Sequence, residues 1–295
     1  MDLQGIYPAL MSPFKGDFGL DFDTLRLLVR KLVAKDVRGF YLCGTSGELF
    51  ALTVAERKRI VETVREEAGG KSVIVHVGAM NANDAKELAK HAAASGCDAI
   101  SAIPPFYCKY TKDEVTAYYR SLMDASGLKM FLYNIPAFTG VNLDVAYYRE
   151  LLCTGSVAGV KHTSHNLFEM ERLRAAYPEG VVLSGYDEVF CGAQVMGATG
   201  CIGTSVNALP GCFQKIAGYL GAGDVAAALR VQSELNTLIA AFLDTGNFFA
   251  CVKHALTLQG IPMGACRPPF LPLSEAQKKT VGEVYARCEE NVQSM

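Results

Sequence analysis

The sequence predicts an α/β chain that closes into an eight-stranded (β/α)8 TIM barrel with a C-terminal helical extension. Three observations carry this. Short β-branched or aromatic runs alternate with longer amphipathic stretches, the beat of βα units around a parallel sheet. The runs number eight, the count that closes a barrel, whereas a doubly wound open sheet more often has about five to seven strands. After residue 206 the pattern turns purely helical.

Taken in order, the strands are "GIYPALM" (5–11), "GFYLCG" (39–44), "SVIVHVG" (72–78), "AISAIP" (99–104), "KMFLYNI" (129–135), "VAGVKHT" (157–163), "VVLSGY" (181–186) and "GCIGTS" (200–205). Between them lie helical patterns such as "FDTLRLLVRKLVAK", "TVAERKRIVETVREEA", "NANDAKELAKHAAAS" and "TKDEVTAYYRSLMDAS", several opened by Thr, Asn or Asp in cap positions. In the last of these, Thr111 precedes Glu114 by the spacing of a capping box. The later helices fall near 207–220, 223–243, 246–259 and 274–293, with the Pro-rich "CRPPFLPLS" breaking the last two apart. One of them must be the eighth barrel helix. The division expected is residues 1–220 for the barrel and 221–295 for an extension packed on it as one structural unit.

A chain of 295 residues is long for one domain but ordinary for an α/β barrel. Half of its residues are hydrophobic and a fifth charged, and the formal net charge is -2, so nothing electrostatic points to nucleic acid or an anionic membrane as partner. The N-terminus lacks a basic region followed by an apolar core, and no run of about 18 apolar residues occurs, so a cytoplasmic protein is expected. The ten cysteines include no C-x-x-C pair and read as buried apolar residues; neither a zinc site nor a redox motif is indicated. No G-x-G-x-x-G or P-loop motif follows the first strand.

In a barrel, catalytic groups sit at the C-terminal ends of strands. That rule selects "GTSGE" (44–48), Tyr133, Lys161, "GYDE" (185–188) and "GTS" (203–205). Lys161 ends an apolar strand, where burial disfavours a charged amine. A neutral amine can attack a ketone and form a Schiff base, an electron sink for breaking the adjacent carbon–carbon bond without metal or organic cofactor. The other reading of Lys161 is a lysine that snorkels to the rim or pairs with Glu188. Tyr133, on the neighbouring strand, is either a packed ring or a phenol that relays protons to that amine. "GTSGE" offers glycines, hydroxyls and amide N–H groups that can wrap a carboxylate, or it is a turn into the helix near Thr53. Asp187 and Glu188 can bind a polyhydroxylated substrate or complement a helix dipole. His162 and His165 form an H-x-x-H pattern without a third ligand, so no metal is expected.

Together, "GTSGE", "YNIPAFTG" and "GVKHTS", in this order and spacing, resemble the pyruvate-dependent class I aldolase family that includes dihydrodipicolinate synthase and N-acetylneuraminate lyase. The resemblance runs from "GIYPALMSPF" to "CRPPF". It implies a (β/α)8 barrel with a helical extension, a homotetramer, Lys161 as Schiff-base lysine and Tyr133 as proton relay. Thr45 and Ser46 would bind the pyruvate carboxylate and orient Tyr133, and Tyr107 in "PPFY" resembles an aromatic contributed near a neighbouring subunit's site. Synthases acting on aspartate semialdehyde carry an arginine where this chain has Phe138, and an aromatic ring lacks that bidentate grip. The segment from Gly159 to Phe190 is instead similar to the sialic acid lyase branch, which implies that Gly185, Asp187 and Glu188 bind the sugar's hydroxylated chain, assisted by Thr163 and Thr204. The hydroxyl pairs Thr45-Ser46 and Thr204-Ser205 stand where the bacterial lyase would be expected to read Ser-Thr. The implied activity is cleavage of N-acetylneuraminate, or a related 2-keto sugar acid, to pyruvate and an aldehyde sugar. The alternatives are an aldolase for another 2-keto-3-deoxy acid, a dihydrodipicolinate synthase-like enzyme, and an inactive metabolite-binding barrel.

Overall fold

Eight parallel strands form one sheet in the order β1-β8-β7-β6-β5-β4-β3-β2 in the computed structural model, which describes residues 3–141, 143–152 and 154–295. The first half runs β1 (Gly5–Pro8), α1 (Phe22–Ala34), β2 (Gly39–Leu42), α2 (Val54–Glu67), β3 (Ser72–His76), α3 (Ala82–Ala94), β4 (Ala99–Ala102) and α4 (Lys112–Ser126). The second half continues with β5 (Met130–Asn134), a single turn α5 (Pro136–Thr139), α6 (Val145–Leu152), β6 (Val157–His162), α7 (Leu167–Ala176), β7 (Val181–Ser184), α8 (Phe190–Val195), β8 (Gly200–Gly203) and α9 (Pro210–Gly221). Helices α10 (Val225–Asp244), α11 (Phe248–Leu258) and α12 (Glu275–Gln293) follow. The eighth barrel helix is therefore α9.

The sheet closes where β1 meets β2, through a parallel bridge between Ala9 and Tyr41 and a Leu10 N–H donated to the Tyr41 carbonyl at 2.9 Å. All eight predicted strands are present, but each stops short of its predicted end; β1, for instance, ends at Pro8 rather than Met11. The apolar run continues past the ladder because the first loop residues still pack into the barrel.

Strand alternation divides the interior into two layers, as a period of two requires. Tyr7, Tyr41, Ile74, Phe131, Tyr133, Leu183 and Ile202 fill the barrel lumen, and Phe40, Leu42, Val73, Val75, Leu132 and Val160 point outward against the helices. On β6 this phase turns Lys161 inward.

Local signals start the helices where the sequence places them. Thr53 and Thr111 form complete capping boxes with Glu56 and Glu114, and Ser274 does the same with Gln277 at α12. Asp21, Asn81, Asn166, Asp224 and Asn247 each accept a backbone N–H in the first turn that follows. Among the described residues no single helix is long and apolar enough to cross a membrane.

The extension is tied to the barrel by buried charge. Lys253 of α11 donates to Glu48 at 2.6 Å, and the second Glu48 oxygen accepts the Arg267 N–H at 2.8 Å. The Arg267 side chain in turn grips Glu56 and lies 4.5 Å over the Phe14 ring, holding the Glu56 carboxyl down at about 2. Of the nine described cysteines eight are buried and none is paired in a disulfide, as expected of small apolar residues.

Candidate active site

Tyr133 and Lys161 are direct register partners on β5 and β6. The Lys161 side chain is only 3% exposed, and its Nζ lies 4.0 Å from the centroid of the Tyr133 ring and 4.5 Å from that of Tyr41. No salt bridge forms at Lys161 among the described residues, so the reading that pairs it with Glu188 is corrected: Glu188 bonds His165 instead. The amine stands on aromatic faces, which attract a cation modestly and leave a lone pair free when the group is neutral.

Below it the lumen is a set of rings held at right angles. Tyr41 and His76 each meet Tyr133 edge to face, at centroid distances of 6.1 and 6.0 Å. Tyr41 donates to Ser101 Oγ at 3.0 Å, and burial, with Tyr133 beside it, raises its phenol well above the usual value. Burial, with Arg57 and Lys161 nearby, holds the His76 imidazole well below its usual value, so the ring is neutral and accepts the Ile103 N–H at 3.2 Å.

The loop after β2 brings the hydroxyls in. It turns through Cys43 and Glu48 in the left-handed region, φ 54° and 59°, a conformation that side chains adopt only when their surroundings hold them there. For Glu48 that hold is the Lys253 ion pair. The Thr45 hydroxyl lies 3.4 Å from the Tyr133 hydroxyl, and Ser46 Oγ lies 2.6 Å from Thr204 Oγ1 across the mouth.

On the other side, β7 ends against β6. A Cβ on Gly185 would lie 1.8 Å from Thr163 Oγ1, so only glycine lets the chain pass there. Asp187 Oδ2 accepts the Ser205 N–H at 2.7 Å, and burial raises its carboxyl to about 6. Glu188 faces the rim, where the His165 imidazole meets it at 2.8 Å. His162 points away, into the outer layer, with Nδ1 3.0 Å from Asn134 Nδ2, and burial lowers it to about 4. The two histidines therefore serve different partners and do not converge.

Every residue given a catalytic or substrate-binding role from the sequence, except Tyr107, lines one cavity of about 160 Å³ at the barrel mouth: Thr45, Ser46, Tyr133, Phe138, Lys161, Thr163, Gly185, Asp187, Glu188 and Thr204. Tyr107 stands apart, 90% exposed with φ 78°. Sequence reasoning missed the outer wall, built by Ile239, Leu243, Phe248 and Phe249 of the extension, and gave no role to Tyr186 beside Glu188. It also missed Gln232 and Asn236 of α10, whose amides donate to the Asp187 and Glu188 carbonyls at 3.0 Å each. The adjacent phenylalanines after the Asn247 cap were the available signal for the wall; the amides had none.

Fold and site together define a barrel enzyme of the kind that can hold a carbonyl substrate on a buried amine. The chain belongs to the dihydrodipicolinate synthetase family, whose model matches residues 2–287. It is 40% identical over 278 residues to the N-acetylneuraminate lyase of Citrobacter koseri, covering 93% of each chain. Among solved structures, it superposes on a Clostridium difficile protein crystallised in complex with mannosamine, with a TM-score of 0.94 and 32% identity, over 97% of this chain and 99% of that one. It likewise matches the wild-type sialic acid aldolase of Ruminococcus gnavus, with a TM-score of 0.95 and 30% identity, over 99% and 98% of the two chains.

Proposed function

We propose that the protein is a Schiff-base aldolase that cleaves N-acetylneuraminate reversibly to N-acetylmannosamine and pyruvate. The observation that carries this is the register pair Tyr133–Lys161 at the mouth, with the amine buried on aromatic rings. The names of the similar proteins, N-acetylneuraminate lyase and sialic acid aldolase, support the substrate.

Lys161 Nζ attacks the C2 ketone of the open-chain acid, and loss of water leaves an iminium. Tyr133, its hydroxyl close to Thr45, gives its proton to the departing water and then, as phenolate, takes the proton of the C4 hydroxyl, with the substrate carboxylate as a relay. The C3–C4 electron pair then flows into the iminium, giving the aldehyde sugar and an enamine. Protonation at C3 and hydrolysis return pyruvate and free Lys161. Thr45 and Ser46 hold the pyruvate carboxylate, while Gly185, Asp187 and Glu188, with Thr163 and Thr204, bind the hydroxylated chain. Phe138 at the rim offers no cation for a second carboxylate, which favours a sugar over a semialdehyde partner.

In this reading residues 1–220 supply the chemistry and 221–295 shape the opening. Tyr107, exposed here, serves a neighbouring subunit's site in a homotetramer, and the unpaired thiols suit a cytoplasmic enzyme. The test is pyruvate release from N-acetylneuraminate, with Lys161→Ala beside the wild type and borohydride trapping of bound pyruvate. Release and trapping that both vanish in the variant are expected. Trapping that survives in Lys161→Ala places the imine elsewhere, and release by the variant removes the mechanism.

A further inference from the structure

We propose that His165 is a positioning residue that fixes the Glu188 carboxylate and so sets the enzyme's preference for long, polyhydroxylated acids. The inference rests on the function proposed above and extends it to a residue whose imidazole the chemistry at Lys161 does not require.

Contacts to both the side chain and the backbone fix the arrangement. His165 Nε2 lies 2.8 Å from Glu188 Oε1. The imidazole is stacked on Tyr186, with centroids 4.5 Å apart and planes inclined by 22°. The backbone beneath the ring is held by the Leu167 N–H on the His165 carbonyl at 2.9 Å and by the Asn166 N–H on Ser164 Oγ at 3.1 Å. From the far side, Asn236 fixes the Glu188 main chain.

Glu188 therefore reaches the cavity as a carboxylate with one oxygen engaged and its torsions already restricted. A free glutamate at a rim loses rotamer freedom each time it binds a hydroxyl. The imidazole bears that cost before substrate arrives. The benefit reaches only a substrate long enough to meet Glu188, because Lys161 and Tyr133 are buried while the Glu188 side chain is 26% exposed. Binding of the distal hydroxyls is affected, and the bond-breaking step is not.

The experiment compares wild type, His165→Ala and His165→Gln on nine-carbon N-acetylneuraminate and on a six-carbon 2-keto-3-deoxy sugar acid. In His165→Ala, KM for the nine-carbon acid should rise about 2- to 10-fold, the scale of ordering one side chain, with kcat changed far less. The ratio of kcat/KM between the long and short acids should fall with it. His165→Gln, which keeps an N–H donor near Nε2, should recover most of that ratio. An unchanged ratio in His165→Ala overturns the inference, as does an equal loss of kcat on both acids. Wild-type protein that leaves N-acetylneuraminate uncleaved overturns the proposed function and this inference with it.

Discussion

Lys253 and Glu48 face each other at 2.6 Å with side chains 1% and 2% exposed, an ion pair that joins the extension to the loop carrying Thr45 and Ser46. Removing one partner leaves a charge stranded out of water. Lys253→Met should cost about 3–5 kcal/mol in urea unfolding, whereas Lys253→Met with Glu48→Gln should recover much of it. Activity should fall more than stability alone explains, because the left-handed Glu48 anchors the hydroxyl loop.

Tyr133→Phe removes the phenolic proton and leaves the ring under Lys161. Its kcat should drop by about 10²- to 10⁴-fold while borohydride trapping of pyruvate on Lys161 persists. Thr45→Val removes the hydroxyl 3.4 Å away, and its effect on kcat should be smaller, about 2- to 10-fold, the worth of one hydrogen bond. Single-turnover measurements on both variants separate these magnitudes.

At Gly185 the prediction is steric. Gly185→Ala would push a methyl group to within 1.8 Å of Thr163 Oγ1, and β7 would have to move away from β6. Thermal unfolding should fall by several degrees, and adding Thr163→Ala should restore part of that loss without restoring affinity for the sugar.

Two carboxyls give stability opposite pH dependences. Asp187 titrates near 6 in the folded protein against an ordinary value of 3.8, raised by burial. Its proton is kept by the folded state and released by the unfolded one as pH rises between those values. The stability it contributes is thus full in acid and lost on passing pH 6, on the order of 2–3 kcal/mol in all. Asp187→Asn should therefore gain on the wild type as pH is raised from about 4 to about 7. Glu56 is the reverse, held near 2 by Arg267, so its contribution is present above its ordinary value of 4.5 and is lost as pH falls toward 2. Glu56→Gln should be weaker than wild type at neutral pH and converge with it in acid. Urea midpoints across pH 3–8 with both variants follow the two signs.

The barrel was legible because its signals are local. Alternation marked the strands, and caps such as Thr53 and Thr111 marked the helices. Helices α7 and α8 were harder to read: α7 buries only Met170 and Leu173, and α8 spans a turn and a half, too little for a period to show. The site was readable wherever strand ends converge, since topology alone brings Tyr133, Lys161 and Asp187 together. What stayed hidden were contacts that close long loops, such as Gln232 on the Asp187 carbonyl and Lys253 on Glu48. Nothing in the sequence near either partner records the other. Tyr107 marks the opposite limit, a residue named from resemblance whose place in one chain is solvent.

The outer wall of the cavity comes from Leu243, Phe248 and Phe249, and the floor from strands that precede them. During synthesis, then, the amine, the phenol and the hydroxyls all leave the ribosome before the residues that enclose them. A chain clipped between α10 and α11 would keep Ile239 and Leu243 but lack the Phe248 and Phe249 side of the wall, with Glu48 still waiting for its cation. One short helix, α11, thus both closes the mouth over Lys161 and supplies the counter-charge that the hydroxyl loop needs, so enclosure and loop order arrive together.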